Sequence, residues 1–194
     1  FKIIIGGYHP TLFPDDAISF SYVICQGEGE NTFAEFLKRV ENKETFYGLK
    51  NTWIRDNEEI IKNPRGSLMT PEEMETMPFM EYSLEEQYMF SYAHGILKPM
   101  EEKDVMHHVG TTYNTIWSVG CPFRCSFCSQ PKFIALDKSY ALYRGTSPSY
   151  IVSEIKEALN NFPLDYVIFY DSNFLGRDFK TLAEFAEKFR KEIG

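Results

Sequence analysis

The chain has 194 residues, 43% of them hydrophobic, which is material for one sizeable core or two modest ones. A formal net charge of −8 with no long basic run argues against a broad grip on nucleic-acid backbone. No apolar run approaches the roughly 18 residues that a membrane-crossing helix requires. Phe1-Lys2-Ile3-Ile4-Ile5 runs into Gly6-Gly7 without a charged leader or cleavage site, so the expectation is a cytoplasmic protein with no membrane span.

Lys2 to Ile5 reads as a strand leading into a glycine turn, and residues 20 to 25, Phe20-Ser21-Tyr22-Val23-Ile24-Cys25, read as a second buried strand. The second strand ends at Gln26-Gly27-Glu28-Gly29-Glu30. A helix is then expected from Thr32, with Thr32 and Glu35 as a capping box and Phe33, Phe36, Leu37 and Val40 on one core-facing side. This is the closing half of an alternating α/β unit. Residues 46 to 62 suggest a hairpin turning near Asp56-Asn57, and 63 to 110 form a proline-punctuated connection with few periodic cues. Cys25 ends an apolar strand and reads as a buried hydrophobe. His94, His107 and His108 in the connection read as exposed or structural, and the pairs Glu72-Glu73 and Glu85-Glu86 as solvated surface.

Alternation resumes after residue 112. Thr115 to Val119 is expected to be a strand feeding a cysteine-rich loop, and Ser147 caps a helix with Pro148 in its first position and Ile151, Ile155, Ala158, Leu159 and Phe162 on one side. Asp165 to Tyr170 follows as a strand. Asp178 then caps a last helix, with Phe179, Leu182, Phe185, Ala186, Phe189 and Ile193 in register. Arg144, just before the first of these helices, reads as exposed. Strand, loop, helix, strand, loop, helix is the start of a parallel barrel or sheet, in which chemistry gathers past the strands' carboxyl ends. The cysteine loop and Asp171-Ser172-Asn173 both lie there. With a strand at one end and a helical pattern running to Gly194 at the other, the chain is expected to be a fragment with an incomplete domain at each end.

Residues 120 to 130, GCPFRCSFCSQ, hold three of the four cysteines, Cys121, Cys125 and Cys128. A tight cytosolic cysteine cluster points to a metal or redox site, and three thiols cannot all pair with one another. Structural zinc wants four closed ligands, for which His107 or His108 could supply the fourth, giving a zinc-stabilised α/β binding module. Three thiolates on one loop also suit a [4Fe-4S] cluster with each sulfur on one iron and the fourth iron open to another ligand.

Gly120 to Cys128, with Phe127 in the aromatic position, resembles the C-x3-C-x-aromatic-C signature of the radical S-adenosylmethionine (SAM) superfamily. The resemblance implies that Cys121, Cys125 and Cys128 hold a [4Fe-4S] cluster, that Phe127 lies near the adenine of SAM, and that SAM chelates the open iron and is reductively cleaved. It places Asp171-Ser172-Asn173 at the SAM amino group; the family's Gly-Gly-Glu run is absent here, although the order YDSNF is similar to that of one subgroup. Ile5-Gly6-Gly7-Tyr8-His9-Pro10-Thr11 followed by Gln26-Gly27-Glu28-Gly29-Glu30 is similar to the second half of the cobalamin-binding domain in B12-dependent members. Ordinary strand-to-helix turns are the alternative. Gly6, Gly7, His9, Gly27, Glu28 and Gly29 are thereby expected to face cobalamin.

The implied architecture is α/β: residues 1–62 the C-terminal part of a Rossmann-like cobalamin-binding domain with a hairpin, 63–110 a connecting region, and 111–194 the first strands and helices of a partial (β/α)6 radical SAM barrel. Only two of six strand-helix units are present, and the upstream half of the corrinoid domain is not, so the isolated segment is expected to be inactive. The implied reaction is B12-dependent methyl transfer to an unactivated carbon of a small-molecule substrate, with an electron donor such as flavodoxin or ferredoxin. A cyclase or ring-rearranging enzyme of the same subgroup is the alternative.

Overall fold

The computed structural model describes residues 3–80, 84, 87–108 and 110–194, with 106–108 described by backbone alone. Lys2, Glu85, Glu86 and the side chains of His107 and His108 lie outside the described residues. The fold is mixed α/β and divides into two compact units: the described residues up to Met69 together with Ser126–Ser139, and Thr70–Cys125 together with Tyr140–Gly194.

In the first unit β1 (Ile4–Ile5) pairs in parallel with β2 (Val23–Cys25), Ile4 opposite Val23 and Ile5 opposite Ile24. The link between them is helical, α1 (Tyr8–Leu12) and α2 (Pro14–Ser19), the latter opened by a proline whose missing N–H no helix start needs. α2 runs on to Ser19 and Phe20 is 57% exposed, which is why the second strand is shorter than its apolar run. β2 is buried at all three positions, as expected of a strand covered on both faces. Ile24 meets Ala17 and Ile18 from α2, and Trp53 closes that core. β3 (Thr52–Asp56) and β4 (Glu59–Lys62) complete the sheet in the order β1-β2-β3-β4 as an antiparallel hairpin, with the left-handed Asn57 (φ 55°) at its turn.

Helix α3 (Glu30–Glu41) departs from expectation twice. Its N-cap is Gly29, without a side-chain cap, because Thr32 is already inside the helix and its hydroxyl accepts from Asn51 Nδ2 at 3.2 Å. The face expected to be core is open instead: Phe33 is 48% exposed, Leu37 50% and Val40 50%. Thr32 is the buried contact, and Phe36 stacks on Phe46 at 4.7 Å.

The connection contains more structure than its sequence suggested. α4 (Pro71–Met74) opens with a complete capping box, Thr70 accepting from Glu73 N–H while the Glu73 carboxylate accepts from Thr70 N–H. A hairpin, β5 (Tyr88–Ser91) and β6 (Ile96–Pro99), turns through Gly95 at φ 64°, and α5 (Glu102–His108) follows.

The first strand of the second alternation is β7 (Thr112–Thr115), earlier than expected; it pairs in parallel with β10 (Tyr166–Phe169) across the crossover helix α7 (Pro148–Asn161). Ser147 caps α7 by accepting from Tyr150 N–H. Asp178 caps α8 (Phe179–Glu192) by accepting from Thr181 N–H. Tyr113, Trp117, Ile151, Ile155 and Ala158 form the buried centre, and Phe185 and Phe189 pack on it. Glu154 of α7 accepts from both Tyr113 (2.6 Å) and Thr115 (2.8 Å), tying the helix to β7. Among the described residues no helix is long and apolar enough to cross a membrane.

Candidate metal and cofactor sites

Past Thr115 the backbone leaves the parallel sheet, and Asp171 explains where it goes. Its carboxylate accepts from Trp117 N–H at 2.9 Å and from the Ser118 hydroxyl, so the residues after β10 hold the residues after β7. From there β8 (Ser118–Val119) runs antiparallel to β9 (Arg144–Gly145), Ser118 opposite Gly145 and Val119 opposite Arg144. The expected strand to Val119 is thus two strands with different partners. Pairing in β9 also buries Arg144, at 9% exposure, against the expectation of a solvent-facing arginine.

Arg177 closes this arrangement from the far side. Its guanidinium lies 3.7 Å over the Trp117 ring and donates to Trp117 O at 2.8 Å, in the space left by the missing side chain of Gly145. Burial lowers its pKa, against the opposing pull of Asp171 and Asp178. Nothing in the sequence marks Arg177 as part of the site; it becomes legible only once Trp117 is known to leave the sheet.

The cysteine loop starts at Gly120, which has φ 91° and comes so close to the Leu142 carbonyl that a Cβ has no room. Cys121 is buried and its N–H donates to Tyr140 O at 3.2 Å. Cys125 and Cys128 are exposed, Cys128 Sγ accepts from Gln130 N–H at 3.4 Å, and Phe127 is 92% exposed. None of the four cysteines forms a disulfide. The donor chemistry fits an iron-sulfur cluster: three free thiols on one short loop, two of them open to solvent. The structure does not draw them together, since among the described residues no three His, Cys, Asp or Glu side chains are gathered as a metal would require. Asp171 is engaged as described, Ser172 is exposed, and Asn173 is half-buried beside Tyr143.

The glycine turns lie at the carboxyl ends of the neighbouring parallel strands β1 and β2. Thr11 staples them: its hydroxyl donates to Gly7 O at 2.7 Å and accepts from Gly27 N–H at 2.8 Å. Gly7 (φ 101°) and Gly27 (φ 76°) both have left-handed backbone, and the space a Cβ at Gly7 would enter is open. Gly6 and Gly29 lie against Cys25, and burial raises the Cys25 pKa, as suits a core thiol. Glu28 is drawn inward to accept from Met69 N–H at 2.7 Å. His9 is exposed in α1, where its Nε2 meets Asp16 at 2.9 Å and its ring stacks near Phe13 and Phe20.

A cavity of about 450 Å³ in the second unit, beside Thr112 and Tyr113, is lined by Met80, Met100, Val105 and Phe162 and contains none of the expected site residues.

The fold has solved counterparts. It superposes on OxsB, a cobalamin-dependent SAM radical enzyme with aqua-cobalamin bound, with a TM-score of 0.61 at 18% identity over 97% of this chain and 24% of that one. The fold is similar to that of one part of this enzyme. The radical SAM methyltransferase TsrM from Kitasatospora setae, bound to tryptophan and the SAM analogue aza-SAM, matches with a TM-score of 0.61 at 16% identity, over 98% of this chain and 32% of TsrM. In sequence the chain is 24% identical to the anaerobic magnesium-protoporphyrin IX monomethyl ester cyclase of Cereibacter sphaeroides, over 87% of this chain and 25% of the cyclase. No family model matches the chain. The chain therefore spans about a quarter of the length of the curated relative and a quarter to a third of these solved radical SAM enzymes.

Proposed function

We propose that this chain is the junction of a cobalamin-dependent radical SAM enzyme, with the cobalamin-binding part before residue 63 and the beginning of the barrel after residue 110. The observation that carries the reading is the C-x3-C-x-F-C run at the end of β8, in a chain whose fold matches OxsB and TsrM nearly end to end. Cys121, Cys125 and Cys128 supply three sulfur ligands, leaving one iron for SAM, with Phe127 beside the adenine and Asn173 at the amino group. When bound, such a cluster supplies one electron for reductive cleavage of SAM, and a corrinoid supplies methyl-transfer chemistry. The chain's own part is positional: Asp171 and Arg177 fix the backbone that launches the cysteine loop, and the bare backbone at Gly7 and Gly27 admits the corrinoid. Methyl transfer to an unactivated carbon of a small molecule is the proposed reaction, by likeness to TsrM. The similarity to the cyclase supports ring formation as the second reading.

The test is anaerobic reconstitution of the full-length polypeptide with iron and sulfide. A brown protein with about four irons per chain is expected. Cys121→Ala, Cys125→Ala or Cys128→Ala should each abolish iron uptake, whereas Cys25→Ala should keep it. A colourless protein carrying stoichiometric zinc sinks the reading.

A further inference from the structure

We propose that Thr11 is a positioning residue for the corrinoid: its one buried hydroxyl holds the two glycine turns together in the arrangement the ligand meets. The inference rests on reading those turns as the corrinoid site and goes beyond it by naming the side chain that gathers them.

The ladder between β1 and β2 ends at Ile5 opposite Ile24, and beyond it the two strand exits are free to diverge. Thr11 spans that gap. Its hydroxyl donates to Gly7 O at 2.7 Å and accepts from Gly27 N–H at 2.8 Å, so the proton serves one turn and a lone pair the other. The Thr11 N–H also donates to Gly7 O, at 3.3 Å, which fixes the backbone of Thr11 to the first turn. Thr11 is only 1% exposed, so water has no easy way to take over either bond.

The pair of turns is open on one side. Glu28 is drawn toward Met69 and Gly29 lies against Cys25, whereas nothing stands within 4 Å of the place where a Cβ on Gly7 would be. Open space beside bare backbone is what a bulky ligand needs for close approach. Gly7 and Gly27 are both held in left-handed backbone, φ 101° and 76°, and glycine loses more conformational freedom on ordering than any other residue. Turns left loose add that entropy loss to the binding step; turns already joined through Thr11 do not, and preorganisation of this kind appears as affinity.

The experiment is equilibrium binding of hydroxocobalamin to the full-length polypeptide, comparing wild type with Thr11→Val, which keeps the shape without the hydroxyl, and Thr11→Ser, which keeps the hydroxyl. Circular dichroism and a thermal melt monitor folding. Thr11→Val should bind about tenfold more weakly, the equivalent of one hydrogen bond, and Thr11→Ser should recover most of that loss. Thr11→Val at wild-type affinity overturns the proposal even if its melting temperature falls, because a purely structural role gives that result. Thr11→Ser as weak as Thr11→Val also overturns it, since the effect then belongs to the shape of the side chain. If Thr11→Val does not fold, Thr11→Cys takes its place: the thiol is close to serine in size but a poor donor and acceptor, so weaker binding than Thr11→Ser is expected and equal binding overturns the proposal. A wild type that binds no hydroxocobalamin brings down the corrinoid reading and this inference with it, an outcome distinct from a wild type that binds and is indifferent to residue 11.

Discussion

Asp171 shows how a residue picked out by resemblance can carry a different burden in the fold. Its carboxylate is bound to Trp117 N–H and the Ser118 hydroxyl. Asp171→Ala should therefore lower stability by about 2 kcal/mol, the scale of hydrogen bonds to a charged group, seen as a lower urea midpoint. An unchanged midpoint with loss of SAM binding would assign it to the cofactor directly. The burial of Cys25 was legible from its neighbours in an apolar strand. Arg144 and Arg177 were not, since the burial of Arg144 goes with β8 pairing with β9 and the place of Arg177 is set by its contact with Trp117, both of them long-range features of the fold.

At the scale of elements, helix starts were legible where the cap had no competing partner. Ser147 and Asp178 cap α7 and α8 as expected; Thr32 has the right spacing but is held by Asn51, and the complete box at Thr70-Glu73 fell in a stretch with no hydrophobic period to announce it. The start of α7 is secured twice, because Ser147 N–H also donates to Glu75 at 2.5 Å. Ser147→Ala should cost about 1 kcal/mol through the lost cap. The Ser147 hydrogen bonds lower the Glu75 pKa from its ordinary 4.5. A carboxyl held below its unfolded value contributes fully above that value and loses the contribution as pH falls through the folded one. Wild type should thus be more stable than Glu75→Gln at pH 7, by a modest amount because the carboxylate is exposed, and the gap should close below pH 4.5 in paired thermal melts.

For the whole molecule, the alternation of strands and helices was visible in the sequence, but the membership of residues 126–139 was not. α6 (Gln130–Leu136) belongs to the first unit, where Phe133 meets the Tyr8 ring at 4.9 Å. The glycine turns and the cysteine loop are separate stretches of chain, so their ligands should be separable. Gly7→Ala puts a side chain on a backbone conformation (φ 101°, ψ −159°) that costs about 1–3 kcal/mol outside glycine. It should lower hydroxocobalamin retention in the full-length protein while leaving iron content intact, with circular dichroism as the folding control; equal retention would remove the corrinoid from this turn. The placing of α6 also bears on the order of synthesis. A ribosome that has released Met69 has not yet made everything the first unit is built from; that waits for Ser139, and the segment from Thr70 to Cys125 must emerge in between. The two units are therefore interleaved in time as they leave the ribosome, and a nascent chain stalled before Gln130 would hold Tyr8 without Phe133, an opening for chaperone capture.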